Sequence, residues 1–149
     1  MVTLTEMDYL KKVGRNSYEM GSMVLSRGFC YLASRDILNT AAVHLDELRD
    51  ETSASCHLAI REGLEAIYIY RAVSSQIIMV NVPVGNRFPC HTVAIGRALL
   101  AGLSDESLRK LYSGVALDGQ TTGGIRSLPQ LMAMVADIRK EGISTGGSD

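Results

Sequence analysis

The sequence has no excess of basic charge, no apolar run as long as a membrane span, and few cysteines. Its 15 lysine and arginine residues are balanced by 16 acidic residues, which gives a formal net charge of -1. A compact domain that binds nucleic acid on its own usually carries a clear positive charge, so the composition argues against that class. The lack of a long apolar run argues against a membrane protein. Three cysteines without metal-like spacing favour a reducing compartment, which we take to be the cytoplasm.

Two cysteine–histidine pairs, Cys56-His57 and Cys90-His91, are the residues best suited to bind a metal or to act as a nucleophile. Neighbouring side chains of a strand point to opposite faces, so Cys56 and His57 cannot both reach one ion. A metal between His57 and Cys90 stays open, as does a small hydrolase that uses Cys90 as its nucleophile. No CxxC or HxxxH spacing supports a metal, and no third residue that would orient a base is identifiable, so we predict no metal, no cofactor and no enzyme activity.

The apolar periodicity predicts a mixture of helices and strands within 149 residues, enough for one domain with its own core. Residues 21–34 form a helix that is apolar over much of its circumference, and Ser34 caps the next helix. Apolar alternation then predicts three antiparallel strands over residues 56–60, 67–70 and 77–82. Further along, Ser104 starts a short helix, residues 113–126 form a loop, and Ser127 and Gly142 bound a final helix. The predicted fold class is α/β (α+β), an antiparallel sheet with flanking helices.

The most specific stretch covers residues 83–103. Pro83 should end the strand before it, and Pro89 should close a rigid loop before a helix that begins near His91 or Thr92. Gly96 weakens that helix relative to alanine, which predicts that another element lies against it. The first amides of the helix have no partner within it, so they can receive an anion.

Within this stretch, Gly85-x-Arg87-x-Pro89-x-His91 precedes Ala94-x-Gly96-Arg97-Ala98-x-Leu100-Ala101. The pattern resembles the signature segment of the effector-binding domain of the IclR family of bacterial transcriptional regulators. The resemblance implies a GAF-like domain that binds a small molecule and, in a whole regulator, controls a winged helix-turn-helix. A basic turn followed by Tyr18-x-Met20-Gly21 is similar to the family's wing and its exit.

The resemblance implies three regions. Residues 1–20 are a remnant of the winged helix with its wing hairpin, and residues 21–34 are the linker and dimerisation helix. Residues 35–149 are the first part of the effector-binding domain, incomplete at its C-terminus. DNA contact would then occur only through the recognition helix of a longer protein.

The resemblance also implies which residues meet the ligand and the DNA. Effector contacts are expected at Ile77, Phe88, His91, Thr92, Ala94 and Ile95, with free amides around residues 92–94 receiving a carboxylate. His91 either faces the effector or holds the loop. Lys11, Lys12 and Arg15 are weaker candidates for contacts with the DNA backbone.

The predicted function is therefore the small-molecule-sensing part of an IclR-type regulator. It would control transcription in response to a metabolite, a small carboxylic acid, as a homodimer or tetramer without membrane association. The alternative is a freestanding GAF-like ligand-binding or dimerisation module without DNA binding of its own.

Overall fold

The structure, a computed structural model, describes residues 2–75, 82–117 and 124–146, which divide into two compact units, Met1–His44 and Leu45–Asp149. Helices and antiparallel strands are mixed, as the periodicity predicts. The elements in chain order are α1 (Val2–Glu6), β1 (Leu10–Lys12), β2 (Tyr18–Met20), α2 (Ser22–Ala33), α3 (Asp36–Thr52), β3 (Cys56–Glu62), β4 (Glu65–Ala72), β5 (Arg87–Pro89), α4 (Ala94–Ala101), α5 (Asp105–Leu111) and α6 (Leu128–Glu141). No helix among the described residues is both long and apolar enough to span a membrane.

The first unit contains a short antiparallel hairpin in which β1 pairs with β2 and Lys11 lies opposite Glu19. The chain leaves the hairpin through Gly21, whose amide donates to the Tyr9 carbonyl oxygen at 2.8 Å. A Cβ atom at Gly21 would collide with the backbone of Asp8, so the close approach of these two backbone segments requires glycine. The predicted helix over residues 21–34 is confirmed as α2, although none of its residues is buried within this chain.

Ser34 does not cap the following helix, and this part of the prediction is wrong. Ser34 closes α2 instead, since its amide donates to the Cys30 carbonyl and its hydroxyl donates to the Tyr31 carbonyl at 2.7 Å. The hydroxyl is thus committed to the preceding helix, and α3 begins two residues later at Asp36. An acidic residue in that first turn suits the positive end of the helix dipole.

The second unit is built on a three-stranded antiparallel sheet in the order β3-β4-β5. The pairing of β3 with β4 shifts between Leu58 and Ala59, which lie opposite Tyr70 and Tyr68 respectively, so Ile69 is the extra residue of a β-bulge. The hydroxyl of Tyr70 donates to the Asp46 carboxylate at 2.8 Å, which joins one face of the sheet to α3.

The third strand of this sheet is β5, and it lies within the segment that the prolines predicted to be a loop. Pro89 is its last residue and lies opposite Glu65. An edge strand tolerates proline because one side of its backbone needs no partner. The predicted strand over residues 77–82 lies, except for Val82, outside the described residues.

The helix after Pro89 begins later than predicted, at Ala94 and not near His91 or Thr92. The intervening residues form a turn, because the Thr92 amide and hydroxyl both donate to the Pro89 carbonyl, at 3.0 Å and 2.8 Å. Val93 is the N-terminal cap residue with extended backbone angles.

The core of this unit lies between the sheet and helices α4, α5 and α6. Its buried side chains come from the sheet, from the loop after β5, from each of the three helices, from the residue that ends α5 and from the segment before α6: Ala66, Cys90, Leu100, Leu108, Tyr112, Ile125, Leu131 and Val135. The predicted caps are confirmed, since the hydroxyls of Ser104 and Ser127 accept from the amides of Ser107 and Gln130. Gly142 ends α6 in the left-handed conformation, as predicted.

Arg139 of α6 fixes the corner between α4 and α5. Its guanidinium donates to the carbonyl oxygens of Ala101 and Leu103 and to the Asp105 carboxylate, at 3.0, 2.5 and 2.6 Å. A planar side chain with several N–H groups can serve all three acceptors together.

Candidate functional site

The segment that carries the family resemblance is held in place at both of its ends. Gly85 has a φ of +94°, which favours glycine, and its amide donates to the Tyr68 carbonyl at 2.8 Å. Arg87 donates to the carboxylates of Glu65 at 2.8 Å and Glu62 at 2.5 Å, on either side of the β3–β4 turn. Two motif residues therefore position β5 against the hairpin of β3 and β4.

Gly96 is where α4 approaches the loop most closely. A Cβ atom placed on this glycine would lie 2.5 Å from both the Cα and the carbonyl oxygen of Cys90. The prediction that another element lies against Gly96 is therefore confirmed, and the element is the backbone just after β5. Cys90 itself is fully buried in the core.

His91 and Arg97 connect the loop to the helices around it. The His91 ring meets the Tyr112 ring edge to face, with centroids 6.0 Å apart, and the His91 carbonyl accepts from Arg97 at 3.4 Å. Arg97 also donates to the Thr145 carbonyl at 2.9 Å, and burial lowers the pKa of its guanidinium. Whether His91 also meets an effector stays a prediction.

The amides expected to receive an anion are only partly available. The Thr92 amide is bonded to Pro89, because the residues before α4 form a turn and not the first turn of the helix. Ala94 and Ile95 do occupy the first turn of α4, where Ile95 packs against the core cluster. Ile77 lies outside the described residues.

Phe88 is half-buried and belongs to a row of rings that crosses all three strands. Its ring meets that of Tyr68 edge to face with centroids 5.6 Å apart, and Tyr68 meets His57 in the same manner at 5.3 Å. We call His57, Tyr68 and Phe88 the ring row. Sequence reasoning identified Phe88 but missed Tyr68, because the bulge at Ile69 hides which residues of β4 share a face.

The ring row lies on the sheet face that carries the core. Residues directly opposite each other in antiparallel strands project to the same face, and Phe88 lies opposite Ala66, a core residue. Tyr68 lies opposite Ala59, and across the bulge His57 lies opposite Arg71. Rings and an arginine therefore extend the apolar face beyond the part covered by the core.

The electrostatics of Cys90 and His57 do not suit nucleophilic catalysis. Burial raises the pKa of the Cys90 thiol to about 11, so the thiol stays protonated at neutral pH. Burial and the nearby Arg71 charge lower the pKa of His57. No group of three or more potential metal ligands occurs among the described residues.

Lys11, Lys12 and Arg15 lie together at the end of the β1–β2 hairpin. The two lysines belong to β1 and Arg15 to the turn, and all three are exposed. The structure thus brings the candidate DNA-backbone residues together on one hairpin.

The family model of the bacterial transcriptional regulator IclR C-terminal region matches residues 29–147. The chain belongs to the IclR family. The Pca regulon regulatory protein of Pseudomonas putida is 30% identical over 141 residues, which cover 94% of this chain and 48% of that protein. The HTH-type transcriptional regulator XynR of Escherichia coli K12 is 31% identical over 125 residues, 84% of this chain and 50% of that protein.

Solved structures of IclR-family proteins have the same fold. The Thermotoga maritima IclR structure matches with a TM-score of 0.75 and 25% identity, over 97% of this chain and 58% of that one. The Agrobacterium tumefaciens repressor BlcR matches with a TM-score of 0.60 and 28% identity, over 95% and 55%. This chain therefore spans about half the length of the curated relatives it matches. These IclR relatives are transcriptional regulators and not enzymes, which confirms that expectation.

Proposed function

We propose that this chain is the small-molecule-sensing part of an IclR-type transcriptional regulator and that its effector is a small carboxylic acid. The observation that carries the proposal is the family match over residues 29–147, together with a sheet face that the core covers only in part among the residues the structure describes. Phe88 lies on that face, and Ala94 begins α4; the family resemblance assigns effector contacts to both. An effector that binds two arrangements of the regulator with different affinity shifts their balance, which is how such a domain controls transcription.

The β1–β2 hairpin is proposed to be the wing of a winged helix. Its three exposed basic side chains can meet phosphates, which position a protein on DNA without reading the sequence. In this proposal the recognition helix belongs to a longer protein, so this chain alone does not select an operator.

Helix α2 is proposed to pair with a second copy of the chain. Its large apolar residues include Leu25 and Phe29, which are 64% and 63% exposed. Apolar side chains spaced by four residues form one stripe of a helix, a pattern that suits helix pairing. The same stripe favours the alternative function, a dimerisation module that pairs with an intact relative. Co-purification of mixed dimers supports the alternative, and their strict absence refutes it.

A thermal melt of the purified chain tests effector binding. We expect a cooperative transition that rises with one of a panel of small carboxylic and sugar acids at millimolar concentration. A ligand present at a hundred times its Kd adds about 2.7 kcal/mol to the free energy of unfolding when only the folded state binds it. The matching amides, which have the shape of the acids but no charge, are the control. A cooperative melt that no acid moves would contradict the proposal.

A further inference from the structure

The ring row is joined on its sheet face by a positive charge. His57 lies opposite Arg71 across β3 and β4, and the bulge at Ile69 places Arg71 and Tyr68 on the same face although they are three residues apart. The 5.3 Å contact between the His57 and Tyr68 rings agrees with this assignment. An imidazole, a guanidinium and two aromatic rings therefore share one face of the sheet, with Tyr68 in contact with both His57 and Phe88.

His57 has an unused polar atom in this setting. Its Nδ1 is buried, and among the described residues no hydrogen-bond partner reaches it. Buried polar atoms normally have a partner, because leaving one without a hydrogen bond costs free energy. A neutral imidazole can place its proton on either nitrogen, so Nδ1 can donate to a ligand.

The two aromatic rings form a corner. The Tyr68 and Phe88 planes meet at 82°, with centroids 5.6 Å apart. A flat apolar group fits such a corner well, since it can offer its face to one ring and its edge to the other. Both rings are half-buried, so each keeps surface outside the core.

We propose that the effector is a small acid with a flat apolar body, an inference that rests on the function proposed above. Its carboxylate binds at His57 and Arg71, and its body lies against Tyr68 and Phe88. His57 Nδ1–H donates to the carboxylate, and Arg71 supplies the positive charge that favours an anion over a neutral group of the same shape. His57 is thus a specificity-determining residue for the acid group, while Phe88 selects the body.

Thermal melts of the whole chain with benzoate, benzamide and acetate test this assignment. Benzoate has both the charge and the ring, whereas benzamide lacks the charge and acetate lacks the ring. We expect benzoate to raise the transition temperature most. His57→Phe keeps a ring beside Tyr68 but removes both nitrogens, and it should weaken benzoate binding roughly tenfold or more. If His57→Phe does not fold, His57→Gln is used for the same test.

Tyr70→Phe is the matched control, because Tyr70 lies on the same strand but bonds Asp46 of α3. This variant should leave the benzoate response unchanged. A change in the His57 ring resonances of the wild-type chain on adding benzoate is a second expected result, and a merely structural histidine far from the ligand would not give it.

The outcomes separate the two proposals. If benzoate binds equally well to the wild type and to the His57 variant, or if benzamide matches benzoate, the acid site assigned to His57 is wrong. If another acid raises the transition temperature and benzoate does not, the flat apolar body assigned to the effector is wrong, whereas the proposed sensing function is supported. If no acid moves the melt of the wild type, both proposals fail.

Discussion

Gly96→Ala should destabilise the second unit although alanine is the better helix former. The added Cβ would lie 2.5 Å from the Cα and the carbonyl oxygen of Cys90, where ordinary contacts are 3.4–4 Å. Both contacted atoms are backbone, so they cannot move aside by changing a rotamer. Alanine gains about 1 kcal/mol of helix propensity, whereas overpacking costs roughly 1–3 kcal/mol or more. With a clash this close we expect a net loss of about 2 kcal/mol.

The assay is chemical unfolding followed by far-ultraviolet circular dichroism. The denaturant midpoint should fall without a change in slope, because the variant loses stability and not compactness. Gly102→Ala is the matched control at the C-terminal cap of the same helix: Gly102 has a φ of -73°, and a Cβ there would lie 3.5 Å from the Leu99 carbonyl oxygen. That control should be neutral or stabilising by about 0.4–1 kcal/mol. If Gly96→Ala is as stable as the wild type, the close approach of α4 to Cys90 is wrong.

Two other predictions concern the cysteines and DNA. At pH 8, iodoacetamide should label exposed Cys30 in the folded chain and leave Cys90 unlabelled until denaturant is added, because burial raises the Cys90 pKa to about 11. The free energy of unfolding should also fall between pH 9 and about 11, because the Cys90 thiol of the unfolded state releases its proton first and the unfolded state then binds fewer protons. Cys90→Ala should weaken this pH dependence. Rapid labelling of Cys90 in the folded chain would contradict its burial. In a gel-shift assay at physiological salt, the chain alone should bind operator and scrambled DNA equally weakly, and a tight, sequence-dependent shift would refute the assignment of operator reading to a longer protein.

Local chemistry made several features of the fold predictable. Ser104 and Ser127 cap α5 and α6 because their hydroxyls accept from amides in the first turn of the helix that follows, and Gly142 ends α6 because glycine accepts a positive φ. Gly96 correctly predicted a close contact, because glycine lowers the stability of a short apolar helix and is explained there by the close packing of another element. Each of these signals depends on a residue and its near neighbours in the chain.

The incorrect predictions depended on contacts that local chemistry does not reveal. Ser34 could serve either of two adjacent helices, and its hydroxyl bonds the earlier one. The start of α4 was predicted too early because Thr92 bonds back to Pro89. β5 is a strand because its residues pair with residues of β4 that lie 20 to 24 positions earlier in the chain.

The candidate site was only partly predictable for a related reason. Phe88 was found through the resemblance, whereas Tyr68 and Arg71 gave no local signal of a shared face. His57 was noticed as a possible metal ligand, and the structure places it beside the Tyr68 ring. The register between strands decides which residues surround a ligand. A prediction from strict alternation along one strand assigns the wrong faces where a bulge occurs.

The bulge at Ile69 makes one position of β4 different from its neighbours with respect to deletion. Because Ile69 is the extra residue, removing it would give regular pairing and would keep Tyr70 on the side of Asp46 and Arg71 opposite His57. Removing a residue from the regularly paired part of the strand would instead transfer neighbouring side chains to the other face. A single-codon deletion is therefore easier for this strand to accept at Ile69 than at a regularly paired position.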